Sequence, residues 1–270
     1  LHLSIRRQRQ MCIRDSNMER HLSLRSGNPA LNKNSFKNLT VNKSTGPILR
    51  DELMTIKGTV DKTAISLLLM IASGYYTFSE QIVSLILPGA LIGFIIAIFT
   101  IFRKQYAPLT VPLYALSQGL FLGGISFMYS QMIEGIVYNA ILLTVTILLS
   151  LLLAYRSGII KPTENLKLGI FAATGGILLF YLISIIASFF GTGFSVLDPT
   201  NGSMTSILVS LFVVIIASLN LVLDFDFIEE ASENGAPKYM EWYGAFGLLV
   251  TLVWLYLEIL RLFLKINSRD

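Results

Sequence analysis

The sequence is poor in the residues that most metal and nucleophilic sites use. Its 270 residues include one cysteine, Cys12, and two histidines, His2 and His21. A single cysteine excludes an intrachain disulfide and a cysteine-based metal cluster. The sequence also lacks a glycine-rich phosphate loop, a serine nucleophile elbow and a histidine metal motif. It therefore gives no support for an enzyme, and we expect no bound cofactor.

Charged residues are scarce as well, at 14% of the chain, whereas hydrophobic residues make up 53%. Because soluble domains carry about 25% charged residues, the expected solvent is a lipid bilayer. The formal net charge is +4, but the Lys and Arg residues lie in the N-terminal tail and the short loops rather than on one face. They indicate membrane topology, and nucleic acid is not an expected partner.

The chain divides into a polar N-terminal part and an apolar remainder. Residues 1–17 do not begin with Met and are predicted to be an upstream extension, and residues 18–60 are predicted to be a flexible cytoplasmic tail. Residues 61–270 are predicted to form an all-α, polytopic membrane domain, because seven apolar runs approach the ~20 residues that cross ~30 Å of hydrocarbon. The predicted spans are Ala64–Phe78, Ile82–Phe102, Thr110–Tyr129, Ile136–Tyr155, Leu168–Phe190, Ser206–Ile228 and Tyr243–Leu264.

Basic residues predict the orientation of these spans. Lys and Arg follow the second, fourth and sixth spans, and the loops after the first, third and fifth contain neither. The positive-inside rule then predicts a cytoplasmic N-terminus and, with seven spans, a C-terminus on the other side. Arg261, Lys265 and Arg269 favour the opposite placement of the C-terminus. A re-entrant last helix, or six spans in all, would accommodate them.

Ionisable residues inside the spans are candidates for function, because each costs at least ~2.5–3.5 kcal/mol at the bilayer centre. In the sixth span, small and polar residues recur on one helical stripe that should face other helices. The stripe consists of Ser206, Ser210, Ala217, Asn220 and Asp224. An interfacial carboxylate at the end of the span is the alternative interpretation of Asp224. Asp226 lies about 200° further round the helix and is predicted to be solvated at the mouth of the bundle.

Glu258 lies among apolar residues of the seventh span, and two arrangements are open. It can pair with Arg261 at i,i+3 on its own helix. It can instead face Asp224 across a helix interface, where two carboxylates compete for one proton and form a pH-sensitive cation site. Carboxylate oxygens suit calcium. In the third span, Gln118 is predicted to pack between helices, or to reach a central cavity.

Three segments of the C-terminal third resemble the bacterial branch of the Bax inhibitor family. They are Leu221-Val-Leu-Asp-Phe-Asp-Phe-Ile228, Gly235–Gly247 and Trp254-Leu-Tyr-Leu-Glu-Ile-Leu-Arg-Leu-Phe263. Ser26–Leu31 and Met54–Thr59 are similar to the same branch. The resemblance extends from about Arg25 to Asp270, and its most specific parts are the Asp-Phe-Asp and Tyr-Leu-Glu motifs.

This resemblance implies seven helices with the last one surrounded by the others, and a pH-sensitive calcium leak in a bacterial plasma membrane. It assigns the proton sensor to Asp224 and Glu258, and a basic latch to Arg103 or Lys104. Glu258 stands where the family pattern has Asp, and the loop between the last two helices is longer. The resemblance also implies an alternative, a membrane-embedded regulator that binds a protease or other complex through its N-terminal tail. The expected partners are therefore lipid, calcium or protons and, in the alternative, a membrane protein.

Overall fold

The computed structural model describes residues 53–160, 162–191 and 193–269. Within them seven α-helices follow one another: α1 Ile56–Ser79, α2 Ile86–Phe102, α3 Ala107–Met132, α4 Ile136–Arg156, α5 Glu164–Phe189, α6 Met204–Glu233 and α7 Met240–Asn267. The predicted extension 1–17 and most of the predicted tail 18–60 lie outside the described residues. Helix α1 begins within the predicted tail because the Thr55 side chain accepts a hydrogen bond from the Gly58 N–H and caps its first turn.

In the described part of the chain, helices α2 to α7 are the six that are long and apolar enough to cross a membrane. Helix α1 has 24 residues, about 36 Å of helix, but Lys57, Asp61 and Lys62 occupy its first turns. Whether α1 crosses the membrane therefore needs a test. The last helix, α7, runs without a break for 28 residues, so the re-entrant alternative does not describe it.

Helix α7 lies at the centre of the bundle, as predicted. It packs against α1, α3, α4 and α6, and 67% of its apolar stretch is buried. Its apolar residues surround the helix on all sides, which is the pattern expected of a helix enclosed by protein.

Helices α1, α2 and α3 pack closely through glycines. A Cβ atom on Gly123 of α3 would overlap the Gly74 carbonyl of α1, and one on Gly89 of α2 would lie 2.9 Å from the Phe121 nitrogen of α3. Gln118 lies against Gly93 of α2 and is buried, which fits its predicted packing role. Pro88 falls in the first turn of α2, directly after the 3₁₀ segment Val83–Leu85, where a proline is tolerated in a helix.

The bundle has two chemically different ends. At the basic end, which carries the α2–α3, α4–α5 and α6–α7 loops, the Met54 N–H donates to the Ala236 carbonyl at 2.7 Å. The buried Glu241 carboxylate accepts from the Thr55 N–H at 3.0 Å and from the Thr55 hydroxyl at 2.9 Å. These bonds attach the start of α1 to the start of α7. At the opposite C-terminal end, the end of α7 lies beside the loop that joins α5 to α6.

Candidate functional site

Two hydrogen bonds define the register of α6 against α7. The Thr251 hydroxyl donates to Asp224 Oδ2 at 2.6 Å, and Lys265 Nζ donates to Ser210 Oγ at 2.8 Å. Fourteen residues separate Thr251 from Lys265 on α7, and fourteen separate Asp224 from Ser210 on α6 in the reverse direction. Each interval is about 21 Å of helix. The helices are therefore antiparallel, and a residue halfway between the bonds on α7 lies level with Ala217 of α6.

Asp224 is fully buried on α6, near the basic end of the bundle. Its Oδ2 atom accepts the Thr251 hydroxyl of α7. Transferring a carboxylate out of water is costly unless hydrogen bonds compensate the charge. The interfacial alternative for Asp224, a carboxylate simply bathed in solvent at the end of its span, does not fit its burial.

Glu258 lies at the halfway level, and its side chain is 3% exposed. Glu258 Oε1 accepts from the Tyr181 hydroxyl of α5 at 2.7 Å and from Arg261 Nη1 at 2.9 Å. Arg261 Nη1 also donates to the Tyr181 hydroxyl at 3.0 Å, and its guanidinium lies 5.5 Å from the Tyr181 ring centroid. Of the two arrangements that the sequence left open, the structure has the i,i+3 pair with Arg261.

The structure does not bring Asp224 and Glu258 together. Glu258 lies seven residues beyond Thr251, the α7 partner of Asp224, so the two acids differ in level by about 10 Å. Calcium binds its oxygen ligands at about 2.3–2.6 Å, so carboxylates this far apart cannot ligate one ion. The described residues likewise contain no group of three or more His, Cys, Asp or Glu side chains that could hold a metal. The two acids therefore do not form the expected shared calcium site, and each lies at its own level of the bundle.

Asn220 lies between these levels on the same stripe of α6. Its Nδ2 atom donates to the Thr174 hydroxyl of α5 at 2.8 Å and to the Ile216 carbonyl at 2.9 Å. Its Oδ1 atom is buried and accepts no hydrogen bond from the described residues. This amide oxygen is therefore a buried acceptor with unused capacity.

Asp226 was predicted to be solvated at the mouth of the bundle, and the structure leaves its side chain 22% exposed and adds an ion pair. Lys167 Nζ of α5 lies 2.5 Å from Asp226 Oδ2, and the Lys167 side chain is only 7% exposed. The reason is that α5 packs on α6, so that the long side chain of Lys167, near the start of α5, reaches Asp226 near the end of α6. Glu164 lies 3.7 Å from the same Lys167 nitrogen.

The two predicted latch residues lie elsewhere. Arg103 is exposed at the end of α2, and Lys104 Nζ lies over the Tyr243 ring, 5.3 Å from its centroid. Tyr243 is two turns before Thr251 on α7, so Lys104 lies about 12 Å nearer the basic end than Asp224. Among the described residues, Lys167 is a cation that does pair with an α6 acid, Asp226.

Lys265 provides a further buried cation that the sequence did not single out. Its Nζ atom donates to the Val196 carbonyl at 2.7 Å as well as to Ser210, and the residue is fully buried. Asp198 lies in the same loop as Val196, outside the spans. The Thr200 N–H and hydroxyl donate to the Asp198 carboxylate and hold its pKa below the usual value. A negative charge therefore persists at the mouth of the C-terminal end.

These contacts explain the three cations that conflicted with the predicted topology. Arg261 is neutralised by Glu258 and Lys265 is enclosed by oxygen acceptors, so neither is a loop charge. Only Arg269 is exposed. The positive-inside rule counts residues in loops, and these two should be left out of the count.

Together, polar groups form a column between α5, α6 and α7, which we call the polar column. From the basic end to the C-terminal end it comprises Lys167 with Asp226, Thr251 with Asp224, Thr174 with Asn220, Tyr181 and Arg261 with Glu258, and Lys265 with Ser210. Its α6 members cover sixteen residues, about 24 Å of helix. Sequence reasoning found the acids but missed Lys167, Thr174, Tyr181 and Thr251, although the seven-residue spacing of the three α5 members was available as a signal.

Comparison with known proteins agrees with this architecture. The family model described as Bax inhibitor 1 like matches residues 28–268. Neither a curated protein nor a solved structure matches the chain. With nearly the whole chain matched and the helical membrane bundle in place, this protein belongs to the Bax inhibitor family.

Proposed function

We propose that the protein is a pH-sensitive cation leak, with calcium as the permeant ion, in a bacterial plasma membrane. The observation that carries the proposal is the polar column, which extends through about 24 Å of a hydrocarbon layer ~30 Å thick. Buried ionisable groups in membrane helices are expensive and are typically retained for ion or proton pathways. Acidic side chains and the Asn220 carbonyl oxygen are the ligand types that calcium prefers.

Under this proposal, the arrangement of the polar column is the closed state of the path. Asp224 accepts from Thr251, and Glu258 is held by Tyr181 and Arg261, so an ion would have to displace these donors to pass. Opening therefore requires the partners to separate. A leak of this kind alternates between a closed population and an open population whose ratio a ligand or proton can shift.

Glu258 is the group through which pH would act most directly. Arg261 on its own helix and Tyr181 on α5 contact it, Tyr129 on α3 lies within electrostatic range of both Glu258 and Arg261, and Lys265 lies two turns along α7. Protonation of Glu258 would remove its attraction to Arg261, so acid would favour a population in which the two side chains are apart.

The test is calcium entry into liposomes that contain the purified protein and an internal indicator, measured from mildly acidic to neutral pH. Glu258→Gln and Asp224→Asn each remove one carboxylate with little change in shape. We expect both variants to flatten the pH profile. Glu134→Gln, an exposed acid in the α3–α4 loop, is the matched control and should keep the wild-type profile.

Two results would contradict the proposal. Absence of calcium flux from the wild-type protein at every pH would exclude the leak itself. Wild-type pH profiles in both acid variants would show that the column does not sense protons.

The family match supports keeping the regulator as a second candidate. It begins at residue 28, well before α1, so the N-terminal tail is a family feature as well as the bundle. Deletion of residues 18–50 separates the two functions. A leak should conduct after the deletion, whereas a regulator that docks through its tail should lose its partner in co-purification from native membranes. Loss of flux with retention of a co-purifying partner would contradict both assignments.

A further inference from the structure

Helix α5 is attached to the bundle in a different way from the other helices. Its apolar stretch is 11% buried, the lowest share among the six membrane-spanning candidates, against 56% for α6 and 67% for α7. It packs mainly against α6, where Ile177 meets Val213 and Ile216 in a small apolar cluster. Because lipid is as apolar as these side chains, such contacts provide little drive for helix association in a bilayer.

Three polar contacts supplement this weak apolar interface, and their α5 residues are evenly spaced. Lys167 pairs with Asp226 at 2.5 Å, the Thr174 hydroxyl accepts from Asn220 at 2.8 Å, and the Tyr181 hydroxyl donates to Glu258 at 2.7 Å. Intervals of seven residues place the three on one face of α5, each two turns from the next. The polar contacts therefore run along about 20 Å of the helix.

The glycines of α5 differ from those of α1, α2 and α3. A Cβ atom added to Gly169, Gly175 or Gly176 would meet nothing within 4 Å, so close packing does not require glycine at these positions. Glycine in a helix interior costs about 0.5–1 kcal/mol relative to alanine, and glycine pairs are common sites of helix bending. Gly175 and Gly176 directly follow Thr174, in the middle of the attached face.

We propose that α5 is the moving helix of the leak, and that Lys167, Thr174 and Tyr181 are the positioning residues that hold it closed. The inference rests on the proposed function. When α5 moves away, Asp226, Asn220 and Glu258 lose their α5 partners and face the cleft that opens beside α6 and α7. The same three contacts thus close the helix and occupy the oxygen atoms that a cation would use.

The experiment fixes α5 to α6 without changing any of the three contacts. Because Cys12 is the only native cysteine, a Cys12→Ser background allows introduced pairs to be bridged cleanly. The introduced pair is Ile177→Cys on α5 and Val213→Cys on α6, both in the apolar cluster. A short, reducible bifunctional thiol reagent joins the two cysteines. The matched control is Thr100→Cys with Thr110→Cys, whose native hydroxyls bridge α2 and α3 at 2.8 Å.

We expect the α5–α6 bridge to lower calcium flux by about tenfold or more, since it removes the open population, and reductant to restore it. The α2–α3 bridge should leave flux unchanged. Equal flux before and after α5–α6 bridging would overturn the assignment of α5 as the moving helix.

A second measurement does not depend on flux. In the Ile177/Val213 cysteine pair, Tyr181→Phe keeps the ring but removes the hydroxyl that joins α5 to Glu258. We expect slower bridging in this variant, because α5 spends more time away from α6, whereas Tyr138→Phe on the exposed face of α4 should leave the rate unchanged. Slower bridging without any wild-type flux would contradict the leak but support the attachment of α5. An unchanged bridging rate would overturn the holding role of Tyr181.

Discussion

Gly58 shows at the scale of one residue how tightly α1 is joined to α7. A Cβ atom at this position would overlap the Glu241 carboxylate. That carboxylate cannot move cheaply, because it is buried and held by Thr55 and Lys238. Overpacking of this kind costs about 1–3 kcal/mol, so Gly58→Ala should lower the thermal unfolding temperature in detergent.

Gly169→Ala is the control for this change, because the same methyl group on α5 would meet nothing within 4 Å. It should leave the unfolding temperature unchanged or raise it, since alanine favours the helix by about 0.5–1 kcal/mol. If the two variants unfolded at the same temperature, the close contact between α1 and Glu241 would not exist in solution.

Single residues also show where sequence reasoning succeeds and fails. The cost of a charge in hydrocarbon was enough to select Asp224 and Glu258, and both are buried. The same rule did not select Glu241, because the start of a span is expected to be wet and nothing in the sequence places the N-terminus of α1 on top of it. Lys265 was counted as a loop charge for a similar reason, although the α5–α6 loop covers it.

At the scale of helices, hydropathy predicts where the hydrocarbon layer is but not where helices end. The fourth predicted span, Ile136–Tyr155, differs from α4 by one residue. The sixth, Ser206–Ile228, falls short of α6, which continues to Glu233, because charged residues remain helical once the chain has left the membrane. The first falls short of α1 since Thr55, a cap rather than an apolar residue, determines where that helix begins.

The register between helices was beyond the sequence. The family resemblance paired Asp224 with Glu258, one of the two arrangements that the residues left open, but the structure has an antiparallel register in which Asp224 faces Thr251. A shift of two turns in that register would have produced the expected pair. The three contacts of α5 were missed because threonine and tyrosine do not stand out in an apolar span, even when they recur every seven residues.

At the scale of the whole molecule, the number of spans depends on whether the first helix crosses the membrane. Helix α1 is about 36 Å long and packs against the central α7 and against α3, yet it is not among the six helices whose composition suits a span. An apolar helix at lipid depth needs its polar residues turned towards protein. Ser66 and Thr77 meet this condition because both are buried. Their hydroxyls donate to carbonyls of their own helix.

Single cysteines in the Cys12→Ser background can decide the span count and the orientation together. Seven spans with a cytoplasmic basic end require that a membrane-impermeant maleimide label Glu80→Cys, Glu134→Cys and Ser268→Cys on intact cells. Ser157→Cys, in the exposed α4–α5 loop, should react only after permeabilisation. Lys57→Cys, at the exposed start of α1, tests the span count: it should also react only after permeabilisation, whereas labelling on intact cells like position 80 would mean that α1 does not cross and that the bundle has six spans. If positions 134 and 157 exchanged behaviour, the basic end would face outward, and Asp226 with Lys167 would form the external mouth of the polar column.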